Sequence, residues 1–349
     1  MIKIQEIKKE LEGKKIAIDD VVTNYSTKQS SHKSAWSYLL KAQLNYFGLE
    51  ADVLDKSGNV HDYDVWVVAL PMEFAGSYNL FGGATDEPAA RIQRFLDFDG
   101  PIYILNREMP DVGAFVNSRI KSCSEGWAAL DAEVLTKKCE SIKTIDLKTA
   151  TGTFVLGDSH SVSVYPIGAD ISRNDGKTLF GVMKEGMDKY IPEGTNHLIT
   201  YFGNIDIRHH ICRQADPVAA VQRLAIDYIN HLKGLNIDRI TVHTLLPIEF
   251  EGRRIPKTGW YKGAPFAGTQ PERTNIMKIF NAKVRELGRE AGFEVLDWPD
   301  HWFSENPEEF AKNYMEKPGS VHLSREYYYW DWNTGVKNSK LIKKTMSLF

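Results

Sequence analysis

From residue 15 onward the chain alternates short apolar runs with longer amphipathic stretches, and that alternation is the strongest limit on its fold. Residues 15–19 (KIAID), 51–54, 65–70 and 101–105 are each short and almost continuously apolar, the pattern of strands buried on both faces. Between them, residues 34–47, ended by Gly48, and residues 87–96 carry helical periodicity. Strands alternating with helices specify an open parallel sheet covered by helices. After a Lys-rich break near 137–151 the alternation restarts, with strands expected at 154–156, 197–202, 239–245 and 293–296. Helices are expected at 178–190, 271–291 and 307–314, and from Asp216-Pro217, an N-cap followed by an N1 proline, to Gly234. The expected class is α/β in two domains, in keeping with 349 residues. Residues 1–145 would form an open parallel sheet, and residues 146–349 a second α/β domain.

Composition excludes several functions. There are 43 Lys and Arg against 46 Asp and Glu, a formal net charge of −3, so no global basic excess exists to hold a polyanion, and any nucleic-acid contact must be local. No apolar run approaches the roughly 18 residues that a membrane span needs, so no membrane partner is expected. The opening MIKIQEIKKELEGKK lacks the apolar core of a secretory signal, which makes cytoplasmic residence the expectation. Cys123, Cys139 and Cys212 are odd in number and widely spaced, which indicates neither a disulfide framework nor a cysteine zinc site. His209 and His210 are adjacent but complete no HxH or HxxxH pattern, so no metal is expected. No GxGxxG follows the first strand, so neither NAD nor another cofactor is expected.

The strongest chemical signal is Gly157-Asp158-Ser159-His160, directly after an apolar strand. A serine on such a turn presents its hydroxyl at the carboxyl edge of a parallel sheet, where α/β proteins bind ligands. Taken alone, the triplet reads equally well as a helix cap. After the next apolar strand, Phe202-Gly203-Asn204-Ile205-Asp206 brings an amide to the same edge, able to donate to a developing oxyanion. Near the C-terminus, Ser320-Val321-His322-Leu323-Ser324 offers a histidine as general base. Asp158 and His160 beside the serine, with Asp206, are expected to line the substrate site, and Arg208 has the bidentate fork for a substrate carboxylate or phosphate. In the long loop 247–268, Arg253, Arg254 and Lys257 are interleaved with Trp260 and Tyr261. Such a loop either grips phosphates and stacks rings or packs its aromatics onto the domain. The run YYYWDW at 327–332 is core, a stacking platform or a subunit contact.

GDSH, FGNID and VHLS in this order resemble the SGNH (GDSL-like) hydrolase superfamily over roughly residues 150–335. The resemblance implies a flavodoxin-like α/β/α sandwich and a serine hydrolase or acyl-transferring activity on an ester of a small molecule or acylated sugar. It places the nucleophile at Ser159, the base at His322, and oxyanion donors at Ser159 N–H, Asn204 and Gly176, with Gly181 as the alternative glycine. The family's Asp three residues before the histidine is replaced by Gly319, so a dyad or a carboxylate from elsewhere, such as Asp206 or Glu326, is implied.

Residues 14–110 (KIAI, SSH, HDYDVWVV, Asn79-Leu80-Phe81-Gly82-Gly83, IYILNREMP) are similar in order and spacing to the N-terminal domain of the T-even phage DNA β-glucosyltransferases. That resemblance implies a phage-encoded protein of the host cytoplasm whose first domain, a Rossmann-like open parallel sheet over residues 1–145, faces DNA and presents a modified base, with Arg91, Arg94, Arg107 and Arg119 as phosphate contacts. The family's catalytic aspartate falls at Asn106, which cannot serve as a general base, and its early glutamate falls near His32. Two further readings stand beside the hydrolase: a DNA-modifying glycosyltransferase using a UDP-sugar, and a catalytically retired DNA-binding protein.

Overall fold

A computed structural model describes residues 2–20, 31–54, 59–69, 97–105, 143–146, 151–174, 176–248, 263, 266–316 and 320–342. The chain divides into two compact units, Met1–Thr149 and Ala150–Phe349. The expected helix at 87–96, the Asn79–Gly83 segment, Asn106 and the four arginines from 91 to 119 lie outside the described residues.

In the first unit, β1 (Ile2–Lys3) leads into α1 (Ile4–Leu11), followed by β2 (Ile16–Asp20), α2 (Ser31–Tyr46), β3 (Ala51–Leu54), β4 (Val65–Ala69), β5 (Ile102–Leu105) and β6 (Lys143–Asp146). Their order across the sheet is β1-β6-β5-β4-β2-β3, and every pairing is parallel. Ile16, Ala17, Ile18, Val65, Trp66, Val67 and Tyr103 are buried, as continuous apolar strands require. The open parallel sheet is present, but its order among the described residues is not that of a dinucleotide-binding Rossmann sheet. From β2 the chain steps outward once, to β3, and then returns to the other side of β2 at β4, the 2-1-3-4-5 pattern. The Lys-rich break proves to contain β6, and Ile2–Lys3 adds a sixth strand beside it.

The second unit repeats that order. Its strands are β7 (Thr153–Gly157), β8 (Asp170–Arg173), β9 (His197–Tyr201), β10 (Arg239–His243) and β11 (Glu294–Leu296), arranged β11-β10-β9-β7-β8, all parallel. The helices are α3 (Leu179–Glu185), α4 (Asn204–His209), α5 (Pro217–Lys233), α6 (Gln270–Glu290) and α7 (Pro307–Tyr314). α5 begins where expected, with Asp216 accepting the Ala219 N–H at 3.0 Å ahead of Pro217. Its buried residues Val221, Leu224, Ala225, Tyr228, Ile229 and Leu232 form one helical stripe, and Tyr228 stacks on Phe280 of α6 with ring centroids 6.5 Å apart.

The expected helix 178–190 is shorter. Thr178 caps α3, and Gly186, at φ +93°, ends it before a 3₁₀ turn at Met187–Tyr190. In the run 327–332, Tyr328, Tyr329 and Trp332 are buried, and Trp332 Nε1 donates to the Tyr165 carbonyl at 3.0 Å. Those three aromatics belong to the core.

Candidate active site

The chain reverses direction across the second sheet between β7 and β9, opening the crevice at the strands' carboxyl ends where doubly wound sheets bind ligands. Both expected motifs end there. Gly157 closes β7 with no room for a side chain: a Cβ would lie 2.5 Å from the Tyr201 carbonyl oxygen and 2.6 Å from Ser161 Cβ. The chain then turns sharply. Asp158 N–H donates to the Tyr201 carbonyl (3.1 Å), the Asp158 carboxylate accepts the His160 N–H (2.8 Å), and the Ser161 N–H and hydroxyl both return to the Asp158 carbonyl. Asp158, His160 and Ser161 are buried by these bonds, which leaves Ser159 as the partly exposed residue of the turn.

His322 reaches this serine from 163 residues away. Its Nε2 lies 2.8 Å from Ser159 Oγ. The loop that carries it is closed by an antiparallel bridge between Met315 and Leu323 and by a Glu316 N–H donating to the His322 carbonyl at 3.0 Å. This pairing brings the Glu316 carboxylate to 4.0 Å from His322 Nδ1, the side of the ring opposite the serine. The Glu316 side chain is 1% exposed and that of His322 15%. Ser320 ties them further, its hydroxyl donating to Glu316 Oε1 (2.6 Å) and accepting the His322 N–H (3.1 Å). The Glu316 charge is also felt at buried Tyr328, whose phenol is pushed up by burial and by Glu316, with Arg173 and Arg325 opposing.

Glu316 escapes a sequence reading that looks for a carboxylate three residues before the histidine, and Gly319 at that position lies outside the described residues. Neither alternative carboxylate faces the imidazole in the bonds seen. Asp206 turns toward α3, where its oxygens accept the Leu179 and Phe180 N–H groups at 2.7 and 3.2 Å. Burial pushes its carboxyl up to about 7, the two N–H groups opposing and the Asp158 charge adding to the shift. Glu326 is exposed and pairs with Lys340 at 2.9 Å.

Asn204 opens α4 immediately after Gly203, whose φ of +120° excludes other residues without strain. Its side chain is buried, with Nδ2 3.5 Å from Asp158 Oδ2, and it also hydrogen-bonds the Tyr201 phenol. Gly176 sits exposed in the turn after β8, at φ +76°. Gly181, its alternative, has its N–H taken by the Thr178 hydroxyl at 3.0 Å.

Arg208, expected to meet substrate, is 5% exposed, and its Nη2 lies 3.3 Å from His160 Nε2. Asp158, His160 and Asp206 are likewise turned inward onto protein partners. Arg253, Arg254, Lys257, Trp260 and Tyr261 lie outside the described residues. The neighbouring Phe266 is packed between His209 (centroids 5.5 Å) and the Arg273 guanidinium (4.6 Å). Among the described residues no three His, Cys, Asp or Glu converge as a metal site, and no helix is long and apolar enough to cross a membrane.

No family model and no curated protein matches the chain. Among solved structures it is similar to a gut microbial diltiazem-metabolizing enzyme, with 15% identity over 51% of this chain and a TM-score of 0.33. The chain spans 44% of that protein's length. An acetyl xylan esterase shares 12% identity over 50% of this chain and 92% of its own, with a TM-score of 0.34. A lipase/acylhydrolase from Enterococcus faecalis shares 14% over 50% and 89%, with a TM-score of 0.33.

Proposed function

We propose that the second unit is a serine hydrolase or acyl-transferring enzyme of the SGNH type. The observation that carries this is the 2.8 Å approach of His322 Nε2 to Ser159 Oγ at the carboxyl edge of the sheet, on a turn that buries the serine's neighbours and leaves the serine partly exposed. A serine hydroxyl is a weak nucleophile until an adjacent base takes its proton. In this reading Ser159 Oγ attacks the acyl carbon as its proton passes to His322 Nε2. The Glu316 carboxylate, 4.0 Å from the other ring nitrogen, stabilises the imidazolium that results. Asn204 Nδ2, 3.5 Å from Asp158 Oδ2, turns to the developing oxyanion together with the Ser159 and Gly176 N–H groups. His322 then gives its proton to the leaving alcohol, and water or a second alcohol takes the acyl group from Ser159. The substrate class we assign is a small ester, such as an acylated sugar or nucleotide. An acylated modified DNA base is the more elaborate version of the same chemistry.

Intact-protein mass after exposure to a small fluorophosphonate tests the assignment without a known substrate. One adduct on wild type, absent in Ser159→Ala, is the expected result. An unlabelled wild type, or an adduct that persists in Ser159→Ala, would overturn it. A labelled protein then warrants a screen of p-nitrophenyl esters, acetylated sugars, acylated nucleotides and modified DNA.

A further inference from the structure

Attack and proton transfer make no use of His160, which lies beside the reacting pair and is 4% exposed. Its Nδ1 lies 2.9 Å from Asp158 Oδ1, and its Nε2 lies 3.0 Å from the carbonyl oxygen of Val321. A carbonyl oxygen can only accept, so this second contact is a hydrogen bond only if Nε2 carries the hydrogen. Asp158 is fixed in turn, because the same Oδ1 accepts the His160 backbone N–H at 2.8 Å. A carboxylate oxygen likewise only accepts, so the two bonds together require hydrogen on both ring nitrogens, and the ring is then anchored at the nucleophile turn by one nitrogen and reaches the far loop with the other.

What it reaches is the peptide joining Val321 to His322. That peptide is planar, so holding its two edges fixes its rotation. His160 holds the carbonyl edge, and the Ser320 hydroxyl holds the N–H edge at 3.1 Å. The faces of the ring are also occupied. Tyr201 stacks on it with centroids 5.9 Å apart and planes 20° apart, and the His322 ring lies at 4.8 Å, tilted by 40°. Arg208 Nη2 approaches Nε2 at 3.3 Å and competes with Val321 for that nitrogen: an Arg208 N–H directed at it would require Nε2 to be bare. Nδ1 also comes to 3.5 Å from Ser159 Oγ, the long limit of a hydrogen bond, against 2.8 Å for His322 Nε2.

We infer that His160 is a positioning residue, a tether that fastens the turn bearing Ser159 to the peptide of His322 and so holds the reacting side chains at bonding distance. The inference rests on the reading of Ser159 and His322 as that reacting pair. It gives the histidine after the serine a role other than that of a second base or a substrate contact.

The test combines rates with a direct view of the ring. His160→Leu removes both bonds, and its rate of phosphonate attachment to Ser159 is expected to fall about 30- to 100-fold, the scale of a misplacement near 1 Å. His160→Gln restores an amide N–H near the Nε2 position and has no basic nitrogen, and it should recover to within about threefold of wild type. Gln as slow as Leu, or Leu as fast as wild type, would overturn the inference. The leucine variant strands the Asp158 carboxylate and can fail to fold. The second measurement therefore uses wild type: long-range proton–nitrogen NMR of histidine-labelled protein should show hydrogen on both ring nitrogens of His160. A bare Nε2 would mean that Arg208, not Val321, is its partner, and the tether would be rejected. An unlabelled wild type would sink the enzyme assignment instead, with the NMR result still reading the His160–Val321 bond.

Discussion

His322→Ala is expected to slow phosphonate attachment at Ser159 by about 10³- to 10⁴-fold, the usual worth of a positioned general base. Glu316→Gln should cost about 10²- to 10³-fold. The amide keeps the size of the side chain and an oxygen for the Ser320 hydroxyl, so the substitution removes mainly a negative charge 4.0 Å from Nδ1. Two unit charges at that distance interact by about 4 kcal/mol at an effective dielectric constant near 20, and the 1% exposure of the Glu316 side chain keeps solvent from screening the pair. At 4.0 Å the contact is longer than a hydrogen bond, which makes charge rather than tautomer selection the larger part of what Glu316 supplies. Glu326→Gln, on an exposed carboxylate paired with Lys340, serves as the control and should label at the wild-type rate. Equal rates for Glu316→Gln and wild type would remove Glu316 from the mechanism and leave a dyad.

The second large effect is expected from a single methyl group. In Gly157→Ala the new Cβ meets the Tyr201 carbonyl oxygen at 2.5 Å and Ser161 Cβ at 2.6 Å. Neither is the flexible end of a side chain, and that carbonyl also accepts the Asp158 N–H. Relief requires β7 and β9 to part where the serine is presented. A cost of about 3 kcal/mol follows, at the upper end of overpacking penalties. It should appear as a fall of roughly 10 °C in the melting transition of the second unit. Ser159 labelling should fall with it. A variant that melts and labels like wild type would show that the turn adapts to a side chain at this position.

Much of the second unit is legible because its punctuation is local. Asp216-Pro217 marks the start of α5 and Pro307 the start of α7, and the apolar runs of β7, β9 and β10 are buried on both faces, so they stand out without partners. β8 is not legible, because it is an edge strand with one buried side chain, Ile171, in the polar sequence DISR. Ser159, Asn204 and His322 stand out as residues following strands or in a late loop. Glu316 does not, because its nearness to His322 comes from the Met315–Leu323 bridge and not from a fixed spacing along a helix or strand. Asp206 shows the opposite error. A carboxylate two residues beyond Asn204 looks available for chemistry, yet the start of α3 needs an acceptor for its N–H groups and takes it.

The 163-residue separation of Ser159 and His322 also bears, in the proposed reading, on how the protein comes to be active. In the proposed reading Ser159, the nucleophile, is made at the first strand of its sheet and His322, the base, after the last, so they meet only when the polypeptide between them has found its place. Contacts of such sequence separation carry the largest loop-closure entropy and are slow to form. A chain emerging from the ribosome would display a complete serine turn long before that serine had any reactivity. Incomplete or misassembled molecules would be chemically silent, and hydrolytic competence would arrive as the closing act of maturation.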